Sequence, residues 1–227
     1  MVKLLFIPLL IMMINTDSFV VDFHRTVFEM NRADLTSGRI YKLPDGLIHI
    51  EVNQPLKQIM RLKGNEMLIY YPDRGKAFRI ISGSPFLLPF VNAITISVYP
   101  QRQLDREGFK LERYDRQGDK MYTYWIPPKK ARKQIGSLVL CMKSGRVIYT
   151  ETRSPKGDII SRSWFSNYVD LSGYPVPTKL VSEVRSNGKL TREEVLFEKP
   201  IFNPSIPNRI LNFSIPASVK VKEVKWK

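Results

Sequence analysis

Short turn signals divide the sequence from residue 44 to residue 188, and they limit the fold more than any other feature. Glycine supplies the positive φ that a tight turn needs, and proline fixes φ at the first central position of the turn. The signals are Pro44-Asp45-Gly46, Gly64-Asn65, Pro72-Asp73-Arg74-Gly75, Arg116-Gln117-Gly118-Asp119, Ser144-Gly145, Pro155-Lys156-Gly157 and Asn187-Gly188. Between them lie β-rich runs, for example residues 47–52, 110–114, 120–125, 147–152, 159–168, 178–185 and 193–198. The spacing predicts a mainly β chain with about ten or eleven strands in one antiparallel sheet or barrel.

The hairpin at Gly64-Asn65 raises the question of what covers this sheet. Its first strand alternates apolar and basic side chains, which are Leu56, Lys57, Met60, Arg61 and Leu62. Its second strand is apolar on both faces, with Met67, Ile69 and Tyr71 on one and Leu68 and Tyr70 on the other. An antiparallel sheet usually keeps one face in water, so the second apolar face needs a cover.

A buried helical lid is the expected cover. The segment 84–94 begins with Ser84 as an N-cap and Pro85 at the first helical position, and it is apolar nearly all round. Pro89 limits it to one or two short helical turns. The predicted lid residues are Phe86, Leu87, Leu88 and Phe90.

The N-terminus has the features of a secretory signal peptide. Lys3 gives a short positive region, and residues 4–14 form an apolar run that is short for a membrane-spanning helix. The small residues Thr16 and Ser18 stand three and one positions before a cleavage site. The sequence therefore predicts export, with residues 1–18 as signal peptide, and an uncleaved anchor is the alternative.

A formal net charge of +15 favours acidic partners such as phospholipid head groups, other anionic lipids or nucleic acid. The basic residues are interleaved with apolar ones along the strands, which is typical of a solvated sheet face. No nucleic acid partner is expected, because an exported chain rarely meets that ligand and no recognition module is present.

No sequence motif supports an enzyme, a metal site or a cofactor. Ser186 and Lys189 have the Ser-x-x-Lys spacing, but Asn187-Gly188 between them predicts a hairpin instead of the helix that this motif needs. Glu193 and Glu194 are adjacent on a predicted strand and should point to opposite faces.

Two further residues, His49 and Cys141, have side chains that can take part in chemistry. His49 lies between Ile48 and Ile50 in an alternating strand and is predicted to be an exposed strand histidine. Cys141 is the chain's one cysteine, so no intrachain disulfide can form, and its apolar surroundings predict a buried structural thiol.

The order of turns along the chain resembles that of a known family. In the first half, this order consists of the strand after Gly38, Pro44, Gln54-Pro55, Gly64-Asn65, Tyr70-Tyr71-Pro72-Asp73, and the strand with Phe78 and Ile80. In the second half, the corresponding features are Phe165-Ser166-Asn167-Tyr168, Gly173-Tyr174-Pro175-Val176-Pro177-Thr178-Lys179, Asn203-Pro204 and Phe213-Ser214-Ile215-Pro216. The chain resembles the periplasmic lipoprotein carrier superfamily, the LolA/LolB-like proteins often labelled outer membrane lipoprotein-sorting proteins.

The resemblance implies an unclosed antiparallel β-barrel, a half-barrel capped by short helices, over residues 19–227. It implies a monomeric, non-enzymatic periplasmic carrier that holds acyl chains of a lipid or lipoprotein, with an inner-membrane exporter and an outer-membrane acceptor as partners. If even-numbered residues of the first strands face inward, the cavity residues are Ile48, Ile50, Val52, Leu56, Met60, Leu62, Leu68 and Tyr70.

The sequence departs from the family pattern at named positions. Leu43 stands where the best-known carriers have an arginine before the first proline, and His49 replaces an expected aromatic residue. No cysteine stands directly after the apolar N-terminal run, so the chain does not resemble the lipidated acceptor member. These departures leave open a ligand other than lipoprotein. The alternative function is an accessory or sensor protein of the same fold that docks on an inner-membrane exporter.

Overall fold

Fourteen strands form one sheet in the computed structural model, which describes residues 18–29, 32–82, 100–171, 173–186 and 188–226. The strands are β1 (Phe19–Glu29), β2 (Arg32–Lys42), β3 (Ile48–Gln54), β4 (Gln58–Lys63), β5 (Glu66–Tyr71), β6 (Lys76–Ser82), β7 (Lys110–Gln117), β8 (Lys120–Ile126), β9 (Ser137–Lys143), β10 (Arg146–Arg153), β11 (Ile159–Leu171), β12 (Tyr174–Ser186), β13 (Lys189–Phe202) and β14 (Val221–Trp226). The helices are α1 (Pro100–Arg106) and α2 (Asn208–Leu211), with 3-10 turns at Pro72–Arg74 and Lys129–Ala131.

The strand order is β14-β6-β5-β4-β3-β2-β1-β13-β12-β11-β10-β9-β8-β7. Neighbours are antiparallel except β14, which runs parallel to β6. The edge strands β14 and β7 do not pair with each other in the described part of the chain, so the sheet is open there. The prediction of about ten or eleven strands is therefore wrong, although the mainly β, unclosed architecture is confirmed.

One face of this sheet, called the inner face below, carries the main apolar core. Alternate residues of the central strands supply it because side chains alternate between faces along a strand. Its buried members include Phe23, Ile50, Leu140, Leu180 and Phe197, and Leu104 of α1 packs with them. Each such side chain contributes about 1.5–3 kcal/mol when it leaves water, so this face anchors the fold.

A second, smaller core lies on the opposite face, called the outer face. After β13 the chain crosses this face as residues 203–220, called the C-terminal strap, before β14 pairs with β6. The strap contains Pro204, Pro207 and Pro216, which cannot donate to a strand ladder and so favour a crossing segment over another central strand. Its Ile210 is fully buried in the second core.

The C-terminal strap covers part of the outer face. Val20, Tyr41 and Leu43 pack with Ile210 of the strap, and Ile206 and Leu47 pack around them. The strap also reaches the two-sided hairpin strand, where the Phe213 ring packs on Tyr70. No helix among the described residues is long and apolar enough to cross a membrane.

Candidate functional site

Five of the predicted cavity residues lie together on the inner face. Ile48 and Ile50 of β3 stand opposite Leu62 and Met60 of β4, and cross-strand partners share a face. Ile50 and Leu62 are buried, as is the fifth residue of this set, Val52. Ile48 and Met60 are half-buried and pack against the core. Contact of these residues with a ligand stays a prediction.

The placement of Leu68 and Tyr70 with this set is wrong. Across the Gly64-Asn65 turn, Leu62 pairs with Met67 and Met60 with Ile69, so odd-numbered residues of β5 face inward. Since a two-residue turn pairs an even-numbered residue with an odd one, the parity that holds from β3 to β4 reverses here.

The other predicted residues have no inner-face strand position in the described chain. Leu56 lies in the turn between β3 and β4, half-buried, and is not part of a strand. The lid residues Phe86, Leu87, Leu88 and Phe90 lie outside the described residues, as do residues 1–17 of the expected signal peptide.

The prediction of an exposed His49 is also wrong. Its side chain does point away from Ile48 and Ile50, but the strap covers it and its exposure is 0%. The imidazole makes edge contacts with the rings of Tyr41 and Phe213, whose centroids are 5.9 and 5.4 Å away. Neither ring nitrogen has a hydrogen-bond partner among the described residues. A pattern confined to one strand could not reveal a cover that comes from the other end of the chain.

Glu51 joins the strap to the sheet. Arg209 forms a forked ion pair with its carboxylate, with one N–H donating to Oε2 at 3.0 Å, and also donates to the Tyr41 hydroxyl at 3.3 Å. The His49 Nε2 lies 3.7 Å from Glu51 Oε1. The neighbouring His49 and then the Arg209 guanidinium lower the pKa of Glu51 to about 2, against the opposing effect of burial.

Arg61 forms a second link to the strap. One of its terminal N–H groups donates to the backbone oxygen of Phe213 at 2.9 Å, and its guanidinium carbon lies 5.6 Å from the centre of the Phe213 ring. Tyr70, the outer-face residue that the sequence placed in the cavity, also packs on Phe213 with a centroid separation of 6.4 Å. Tyr70 and Arg61 therefore both contact the strap on the outer face.

The inner face has a polar end that sequence reasoning missed. Arg25 of β1 donates to Oε2 of Glu193 at 2.7 Å, and the hydroxyls of Ser163 and Ser182 are 2.9 Å apart. Glu193 is buried, and its Oε1 has no hydrogen-bond partner in the described chain. The expected split of Glu193 and Glu194 is confirmed by the register: Glu193 opposes Val27 and Glu194 opposes Thr26. The missing information was the pairing of the first strand with the thirteenth.

The sequence candidates for chemistry, the Ser186–Lys189 pair and Cys141, lie on strands of the sheet. Ser186 and Lys189 are opposite each other across the β12–β13 turn, on strands instead of a helix. Cys141 is a buried free thiol, and burial raises its pKa. No cluster of three or more metal-ligating side chains occurs within the described residues.

Known proteins resemble this chain in structure, whereas the sequence comparisons found no match. No protein-family model matches the sequence, and no curated protein matches it. A LolA superfamily protein from Nitrosomonas europaea superposes with a TM-score of 0.61 at 15% identity, over 86% of this chain and 90% of that one. A DUF1329 family protein from Desulfovibrio piger superposes with a TM-score of 0.64 at 12% identity, over 86% and 89%.

A third solved structure superposes on this chain equally well. It is a domain assigned to outer membrane lipoprotein-sorting proteins from Vibrio parahaemolyticus, with a TM-score of 0.60 at 12% identity, over 86% and 89% of the two chains. Identities this low carry no residue roles across, but the superpositions cover most of each chain. The chain therefore has a LolA-like fold, as the order of its turns predicted.

Proposed function

We propose that the protein is a non-enzymatic periplasmic carrier that binds the acyl chains of a lipid or lipoprotein against its inner face and moves them toward the outer membrane. The observation that carries this proposal is a set of half-buried apolar residues bordering the inner core. They lie on several strands and after α1, and they are Ile48, Met60, Met67, Phe109, Met142, Tyr168 and Phe202. Such side chains have apolar area left to bury against a ligand.

The physical chemistry of an acyl chain fits such a face. Each methylene that leaves water contributes about 0.8 kcal/mol, so binding needs apolar area more than polar anchors. A ligand can reach the inner face of an open sheet from an unpaired edge, whereas in a closed barrel it would have to enter through an end or between separated strands. Two of the superposed structures, the LolA superfamily protein and the lipoprotein-sorting domain, support a carrier role.

The location and partners follow from this proposal. The apolar N-terminal run supports export, which would place the carrier in the periplasm. An inner-membrane exporter would then load it and an outer-membrane acceptor would unload it.

Lipid analysis tests the proposal. The protein is purified from the periplasm without detergent, and bound lipids are extracted and identified by mass spectrometry. We expect a stoichiometric acyl-containing species. A folded protein free of lipid, which also fails to take up lipid from vesicles, would refute the carrier and favour an accessory protein that docks on an exporter.

A pair of adjacent substitutions locates the ligand. Met60 faces the inner core and Ile59 the outer face, and both are half-buried on the same strand. Met60→Gln should lower acyl-chain retention, while Ile59→Gln, the matched control, should leave it near that of the unaltered protein. Equal retention in both variants would exclude this part of the inner face as the binding surface.

A further inference from the structure

A recess of about 390 Å³ opens on the outer face beside the C-terminal strap. Leu47 and Leu68 from the sheet and Phe213 from the strap form its apolar walls, and Arg61 and Lys63 of β4 contribute its positive charges. Its volume lies within the ~300–1,000 Å³ range of small-molecule sites. The recess is separate from the inner face, because Arg61 and Leu68 stand opposite each other on the other side of the sheet.

The charges around the recess are paired, apart from that of Arg61. Lys63 pairs with Asp45 at 2.7 Å, and Glu66 at the rim pairs with Arg79 at 3.1 Å. These two ion pairs leave neither a free carboxylate nor a free ammonium at the rim. The recess therefore keeps a net positive charge that belongs to the Arg61 guanidinium.

Arg61 is half-buried, and most of its N–H donors have no partner among the described residues. Of its five N–H donors, one binds the backbone oxygen of Phe213, and no carboxylate within the described residues pairs with it. Burial lowers its pKa, and the charge of the Asp45 carboxylate, which is itself paired with Lys63, opposes this effect only in part. A guanidinium in this state favours a planar or tetrahedral anion that can accept two parallel N–H bonds.

We propose that this recess binds an amphiphile with one anionic head group, a carboxylate or a phosphate. The head group accepts hydrogen bonds from Arg61, and the apolar part packs against Leu47, Leu68 and Phe213. Because Phe213 belongs to the strap, an occupant also bridges the strap and the sheet. The site goes beyond the proposed carrier function and does not depend on it, since it lies on the opposite face.

Calorimetric titration of the purified protein tests the ligand class with four probes: decanoate, decyl phosphate, decanol and inorganic phosphate. We expect binding of the two anionic amphiphiles that is about tenfold or more tighter than that of decanol or of inorganic phosphate, as charge-assisted hydrogen bonds and apolar contact both contribute. Equal affinity for decanol and decanoate would remove the role of Arg61. Equal affinity for inorganic and decyl phosphate would remove the role of the apolar walls.

Variants assign the binding to this recess instead of the inner face. Leu68→Glu places a carboxylate directly opposite Arg61, where it pairs with the guanidinium and leaves the bond to Phe213 in place. Leu68→Gln is the matched neutral control. We expect Leu68→Glu to bind decanoate about tenfold or more weakly than Leu68→Gln, and Arg61→Gln to lose comparable affinity. Similar decanoate affinity in Leu68→Glu and Leu68→Gln, both folded by circular dichroism, would overturn the proposal.

Discussion

Replacing Glu51 with glutamine tests whether the ion pair to Arg209 holds the C-terminal strap on the sheet. The pKa of Glu51 falls from its ordinary value of 4.5 to about 2, through its contacts with His49 and Arg209. At about 1.4 kcal/mol for each pH unit, this interval corresponds to about 3 kcal/mol of stabilisation of the charged form. The Arg209 side chain is 60% exposed, so solvent screening reduces the expected loss at pH 7 to about 1–2 kcal/mol.

The pH dependence of this loss has a defined sign. A carboxylate whose pKa is depressed by folding stabilises the protein above its unfolded-state pKa, near 4.5. That stabilisation disappears as the pH falls from about 4.5 through about 2, the folded-state value. The difference in free energy of unfolding between the unaltered protein and Glu51→Gln should therefore be largest at neutral pH and smaller at pH 3.5.

Urea unfolding followed by circular dichroism at pH 7 and pH 3.5 measures this difference. Glu66→Gln is the control, because its pair with Arg79 joins side chains that are 50% and 47% exposed and should contribute less than about 1 kcal/mol. A Glu51→Gln variant as stable as the unaltered protein at pH 7 would refute the anchoring role. A loss of the same size at both pH values would refute the charge as its cause.

Two substitutions and one labelling experiment test the packing. Ile210→Ala should lower the free energy of unfolding by about 2–5 kcal/mol, because Ile210 is fully buried and its removal leaves a cavity under the strap. Urea unfolding measures this loss. A loss below about 1 kcal/mol would mean that the strap closes the cavity or contributes little to stability. Gly38→Ala should destabilise the β2–β3 pairing by about 1–3 kcal/mol, because its Cβ would lie 2.1 Å from the backbone oxygen of Glu51; an unchanged thermal midpoint would contradict that close approach. Cys141 should react slowly with iodoacetamide at pH 8 in the folded protein and fully in urea, because the thiol is buried and burial raises its pKa. Fast labelling of the folded protein would show that strand β9 exposes this thiol to solvent.

Much of the fold could be predicted from local sequence because turn chemistry is local. Gly64, Gly145 and Gly188 all have positive φ, and each lies between two strands where its turn signal predicted a turn. The alternation along β3 also correctly separated His49 from its apolar neighbours. These features depend on a few adjacent residues, so a single sequence is enough to identify them.

The candidate site was only partly predictable, because its residues depend on contacts between distant segments. The even-numbered rule held for Ile50 and Leu62 and failed for Leu68, where the register of one turn reversed the faces. The environment of Arg61 depends on Phe213, which lies far along the chain. No periodicity within one strand carries information about a segment that packs on it from elsewhere.

The sequence by itself determined the secondary structure class, the positions of most turns and the alternation of faces within each strand. The tertiary structure alone decided the pairing of β1 with β13, the parallel addition of β14 to β6, and the crossing of the strap over the outer face. Turns depend on the backbone freedom of two or three residues, whereas long-range pairings are selected by how much apolar surface the whole chain can bury. For this reason the cover of the hairpin at Gly64-Asn65 became visible only in the folded chain.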